Sequence, residues 1–298
     1  MDRNTAICLT VALIVILLLG CGKKDDPGPI SDGTTTLAFS MTGDTQLTVL
    51  THLAYAYRIF YSEDLHPTIK IFGAQQQDSS TLQITFYGLL FVPGTTELGS
   101  DRNLPQSVYL TVGTVSREKT YSCAAGSVTL TAVSPRTLGT FECHSSGTGS
   151  VSLNGHFDLP YAGSPQATST SLSFTDPDRV IPPVSTPLAF AYLNFYNRYG
   201  TGPTLTIRAV QQDDNSYTEF SLTNIPDRVG QTSIGAWGDS THVSIVNVRS
   251  NGEYAGSYET GGAIDVTTIS PRTAGTFTLS GTADITDGQF DVPYAGAP

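Results

Sequence analysis

The sequence predicts an all-β chain, two tandem homologous domains each folded as an antiparallel β-sandwich or flattened barrel, and three observations predict it. The 298 residues include 29 Gly and 17 Pro but only 14% charged side chains, a composition that favours turns over helix. Runs such as "TIKIFGA", "TLQITFYGL", "SVYLTVGTV" and "SVTLTAV" alternate or are β-branched between turn clusters. The second half then repeats the first, down to "SPRTLGTF" at Ser134 to Phe141 and "SPRTAGTF" at Ser270 to Phe277.

The elements follow in chain order. Arg3 precedes an uninterrupted apolar run from Ala6 to Leu19, short for a bilayer span and the size of a secretory h-region. It ends in Leu18, Leu19, Gly20 and Cys21, which resembles the lipobox of bacterial lipoproteins. That resemblance implies cleavage before Cys21 and a diacylglycerol on its sulfur, with residues 1–20 as signal peptide. A leader that stays uncut is the alternative. Residues 21–35 are then the lipidated cysteine and a flexible tether, because Pro, Gly, Ser and Thr dominate without apolar periodicity. The order Lys23, Lys24, Asp25, Asp26 resembles the short signal that sends some Bacteroidota-type lipoproteins to the cell surface, and it is equally the composition of a solvated linker. The expected location is the outer membrane, with the surface-exposed and periplasm-facing sides both open.

The first repeat is expected over residues 36–165, a linker over 166–170 and the second repeat over 171–298. The segment from Pro67 to Phe141 lies over Pro203 to Phe277 without a gap, "LAYAYRIFY" covers "LAFAYLNFY", and "GHFDLPYAGSP" covers "GQFDVPYAGAP". Each repeat is long enough to bury its own core and reads as about eight strands. In the retained turn, Pro135 and Pro271 preset φ, and Gly139 and Gly275 are expected to supply a positive φ. The Gln75–Asp78 and Gln211–Asp214 segments are expected to reverse hairpins.

The later part of each repeat resembles small Bacteroidota-type all-β surface lipoproteins of unassigned function. The residues that carry the likeness are the turns "GTTELG" and "GQTSIG", the strand starts Gly139 to Phe141 and Gly275 to Phe277, and the closing Gly155 to Tyr161 and Gly288 to Tyr294. The resemblance implies an all-β lipoprotein and brings no catalytic residues. This chain departs by carrying two copies and by placing Pro160 and Pro293 in the closing strand.

Composition excludes some partners. A net charge of −11 without a basic cluster disfavours nucleic acid and anionic lipid, so membrane attachment rests on the lipid at Cys21. Of the four cysteines, Cys8 leaves with the leader, and Cys123 and Cys143 are expected to form a disulfide. A metal site that adds His144 and His156 is the sharper alternative, against which stand a spacing that matches no common zinc pattern and a second repeat without these residues. Asp176/Asp178 and Asp213/Asp214 read as solvated turns rather than calcium loops.

The richest side-chain feature is aromatic. Tyr55, Tyr57 and Tyr61 share one strand face in the first repeat, and Phe190, Tyr192 and Tyr196 do so in the second. Such a face is either a platform for sugar rings or an envelope partner, or part of a core. Asp158 and Asp291 recur without a partnered His, no histidine is repeated in its aligned partner, and no nucleophile elbow, zincin helix or phosphate loop is present. The expectation is a non-enzymatic, lipid-anchored envelope protein that binds a glycan or envelope partner, with no cofactor and no metal. A structural spacer without ligand is the alternative, ahead of a hydrolase or an enzyme inhibitor.

Overall fold

The structure, a computed structural model, describes residues 34–296 apart from 44–45, 61–67, 78, 100–105, 146–149, 165–170, 178–181, 197–201, 236–240, 250–253, 260 and 282–283. The expected signal peptide, Cys21, nearly all of the tether, Tyr61 and the linker at 166–170 lie outside the described residues. Gly33–Pro298 is one compact unit that contains both repeats. Among the described residues every regular element is a strand, and no helix is long and apolar enough to cross a membrane.

The first lobe is a ten-stranded antiparallel sheet folded over one core. One layer holds β1 (Thr36–Gly43), β2 (Leu47–Thr51), β6 (Gly94–Leu98), β9 (Arg136–Ser145) and β10 (Val151–Pro160). The other holds β3 (Ala54–Ile59), β4 (Thr68–Gln77), β5 (Ser80–Leu90) and β7 (Ser107–Thr114). The long β8 (Arg117–Ala132) joins them, pairing β7 through Arg117–Cys123 and β6 through Gly126–Leu130. It turns from one layer to the other at Gly126, whose φ is +119° and whose added Cβ would lie 2.1 Å from the Glu142 carbonyl oxygen. The result is a nearly closed, flattened barrel.

The second lobe repeats this plan as two separate sheets. One contains β11 (Leu172–Phe174), β12 (Val184–Thr186), β16 (Gly230–Ser233), β19 (Gly261–Thr268), β20 (Arg272–Ser280) and β21 (Ile285–Pro293). The other contains β13 (Ala189–Asn194), β14 (Thr204–Gln212), β15 (Ser216–Pro226), β17 (His242–Arg249) and β18 (Tyr254–Glu259). Here β18 and β19 together take the place of β8. Among the described residues the lobes thus carry ten and eleven strands rather than about eight, because edge pieces such as β2, β6, β12 and β16 have three to five residues, too few to display a period. The ungapped alignment also needs a local correction. Phe86 faces Val108, and its counterpart Leu222 faces Val243, one residue earlier than an ungapped register places it.

The repeated motifs are packing devices. Gly139 lies opposite Phe157 and Phe141 opposite Gly155 on β9 and β10, and Gly275/Phe290 and Phe277/Gly288 repeat the arrangement on β20 and β21. Each ring lies on the glycine across from it: an added Cβ would come within 2.8 Å of the Phe157 ring at Gly139 and within 2.5 Å of the Phe277 ring at Gly288. Neither Gly139 nor Gly275 has a positive φ, so that expectation is corrected. These glycines admit a ring on one side and a neighbouring carbonyl on the other, Thr129 O at 2.3 Å and Asp265 O at 2.1 Å from the added Cβ. The arginine of "SPRT" pairs with the aspartate of the closing strand in both lobes, Arg136 with Asp158 and Arg272 with Asp291. The following threonine closes the turn, Thr137 Oγ1 donating to Val133 O and Thr273 Oγ1 to Ile269 O.

Candidate functional site at the joint between the lobes

The two aromatic stripes meet each other. On β3, Ala54 and Ala56 point into the first lobe's core while Tyr55, Tyr57 and Ile59 point away from it. On β13, Ala189, Ala191 and Leu193 point inward and Phe190 and Tyr192 outward. The neighbouring strands follow suit, Ile69 and Ile71 inward with Phe72 and Ala74 outward on β4, and Leu205, Ile207 and Ala209 inward with Val210 outward on β14. The outward sets form a third apolar cluster that belongs to both lobes. Tyr55, Tyr57, Phe190 and Tyr192 are 0–3% exposed. The platform reading of these four is therefore corrected: their faces are covered by the other lobe. Tyr196 is half-buried at the edge of the joint, its Cβ beside Gly113 of β7.

The contacts across the joint are reciprocal, as in an isologous dimer. The Tyr57 hydroxyl donates to Glu219 Oε2 at 2.8 Å, and the hydroxyl of its counterpart Tyr192 donates to Gln83 Oε1 at 3.3 Å, Gln83 being the counterpart of Glu219. The closing tyrosines behave alike, Tyr161 of the first lobe interacting with Gln212 of the second and Tyr294 of the second with Gln76 of the first. Tyr55 and Phe190, which also correspond, hold their rings 5.6 Å apart. Phe72 stacks on Phe190 at 5.8 Å with 6° between planes.

Charge breaks the symmetry. Glu219 accepts from Lys70 Nζ at 3.0 Å through both carboxylate oxygens and lies 3.5 Å from Arg208 Nη1. The Lys70 and Glu219 side chains are 11% and 19% exposed. Burial pushes the Glu219 carboxyl up, but Lys70 and Arg208, with the hydrogen bonds from Tyr57 and Lys70, outweigh it and hold the group below its ordinary value. Burial, reinforced by the Glu219 charge, raises the Tyr55 and Tyr57 phenols well above theirs. At the mirrored corner Gln83, Thr206 and Phe72 stand in place of Glu219, Lys70 and Arg208, so these three positions bring no ion pair there. Chemically the cluster is an electrostatic clasp: the carboxylate is saturated with donors and the phenols stay protonated, so none of them is poised for proton transfer near neutrality.

Sequence reasoning missed Lys70, Arg208 and Glu219. The signal was present in "TIKIFGA" and "TLTIRAV", where one cation stands within an otherwise uncharged, largely apolar run.

The remaining sequence candidates sit elsewhere. Cys123 and Cys143 are joined in a disulfide with Cα atoms 5.6 Å apart, between β8 and β9. Among the described residues no group of three His, Cys, Asp or Glu is arranged to hold a metal. Asp213 caps its turn through Asn215 N at 2.7 Å and Ser216 N at 2.6 Å. Asp158 and Asp291 bind the arginines of their own lobes. On β9 and β10, His144 Nδ1 is 2.8 Å from Ser152 Oγ and His144 Nε2 is 3.5 Å from Glu142 Oε1. This Ser-His-Glu line stands on a solvated sheet face, with His144 and Glu142 50% and 61% exposed and both strands paired on each side, unlike a water-excluding oxyanion site.

Comparison with protein-family models, with curated proteins and with solved structures finds no match to this chain.

Proposed function

We propose that this chain is a non-enzymatic, lipid-anchored bacterial envelope protein, held to the outer membrane through Cys21, whose two fused β-lobes form a stiff body that acts as a spacer or scaffold. The observation that carries the reading is the burial of both aromatic stripes against each other. The residues best suited to stack on a sugar are spent on holding the lobes together. A shared apolar cluster with a clasp of opposite charges resists hinge motion, as a spacer requires.

A second reading, the binding of a glycan or envelope protein, is supported by a different surface. Leu90 at the end of β5, Val92 just after it and Val229 after β15 stand exposed at the same corner of their respective lobes. A partner that engages both corners would gain avidity from the duplication.

The test is a broad glycan array probed with residues 22–298, beside Tyr57→Ala and a variant with Val92 and Val229 changed to Ser. The spacer reading expects no selective capture. Capture that survives Tyr57→Ala and vanishes in the Val92/Val229 variant would replace it with the binding reading.

A further inference from the structure

Corresponding positions of the two lobes touch at the middle of the joint, yet their occupants differ. Phe72 and Arg208 correspond, and the Arg208 guanidinium lies 4.6 Å from the Phe72 ring centroid. Lys70 corresponds to Thr206 and Gln83 to Glu219, so each lobe brings half of the charge pair.

The like pairings make the consequence plain. Two first lobes would bury two Lys70 ammonium groups opposite Gln83, which offers no compensating charge. Two second lobes would place Arg208 against Arg208 and leave each Glu219 facing Thr206 where Lys70 now stands. Only the unlike pair sets a guanidinium on an arene and an ammonium on a carboxylate. The apolar cluster supplies attraction for any pairing, whereas these three positions penalise the like ones.

We propose that the joint is a docking surface selective for the unlike lobe, with the choice written at positions 70/206, 72/208 and 83/219. Its occupant is the other half of the same chain. This inference stands on the joint alone and holds whether or not the body serves as a spacer.

Transposition within the intact chain tests it. Spin labels at Val115→Cys and Val229→Cys, both on exposed positions, report the distance between lobes by double electron–electron resonance. In a three-residue variant, Lys70→Thr, Phe72→Arg and Gln83→Glu make the first lobe's face like the second's. The labels should then move from one narrow distance to a broad, longer distribution. Adding Thr206→Lys, Arg208→Phe and Glu219→Gln exchanges the two faces completely, and the narrow distance should return. A three-residue variant that stays closed, or a six-residue variant that stays open, overturns the proposal.

Discussion

Tyr57 of the first lobe hydrogen-bonds Glu219 of the second at 2.8 Å, beside a Lys70 ammonium 3.0 Å from the same carboxylate. Removing one member of such a buried group leaves the others desolvated without compensation. Glu219→Gln is expected to destabilise the chain by about 3 kcal/mol, whereas adding Lys70→Met to it should recover a large part of the loss. Urea denaturation of the two single variants and the double variant measures the coupling, and additive effects would remove the clasp from the account.

Alkali should loosen the joint. The Tyr55 and Tyr57 phenols have folded pKa values above their unfolded ones, so their contribution is fully present below the ordinary tyrosine value of about 10 and is lost as pH rises through the folded values. Urea midpoints should fall above about pH 10, and less steeply in Tyr57→Phe. Glu219 has the opposite sign: its folded pKa is depressed, so its contribution is present above the ordinary carboxyl value of about 4.3 and lost as pH falls through the folded one. Between those limits stability should be flat with respect to both groups.

Gly139→Ala and Gly275→Ala each drive a methyl into a backbone oxygen 2.1–2.3 Å away and into a phenyl ring. A loss of about 3 kcal/mol, or roughly 10 °C in Tm, is expected for each. Gly202→Ala, where nothing lies within 4 Å of the added Cβ, serves as the control and should change Tm little. Calorimetry distinguishes them.

The duplicated Arg–Asp pairs should differ in worth. The Arg136 and Asp158 side chains are 19% and 5% exposed, against 48% and 62% for Arg272 and Asp291. Arg136→Ala strands a buried carboxylate, for about 3 kcal/mol, while Arg272→Ala should cost under about 1 kcal/mol. Denaturant midpoints of the two variants give the comparison.

Cutting the Cys123–Cys143 bond, which spans a sequence separation of 20, should cost about 3 kcal/mol by release of loop-closure entropy. Replacing both cysteines by Ala should lower the first lobe's melting temperature in a calorimetric scan. The second lobe, which has no such bond, should melt as before if the joint has already opened.

The strand periodicity made the all-β class and the two-fold repeat legible, because period-2 alternation and turn residues are local properties of the chain. The joint was not legible. In "LAYAY" the alanines and aromatics alternate, and both sets are buried, one in the lobe's own core and the other against the second lobe. Alternation reports that a strand has two different faces and cannot report what covers the second one. Lys70 and Glu219 lie 149 positions apart, so their pairing has no local signature. Gly139 shows a subtler limit: a glycine beside a proline turn reads as turn chemistry, whereas the Thr129 carbonyl and the Phe157 ring across the ladder are what exclude a side chain there.

The interlocked glycines and phenylalanines of β9 and β10 carry a consequence for how such a domain can change over time. Neither glycine tolerates a side chain while the opposing ring is in place, and neither ring has a bed without its glycine. A single substitution on either strand passes through a damaged intermediate, so the hairpin is inherited as a block. That coupling explains why "GTF" and its closing partner persist in both copies of a chain whose intervening sequence has drifted far apart.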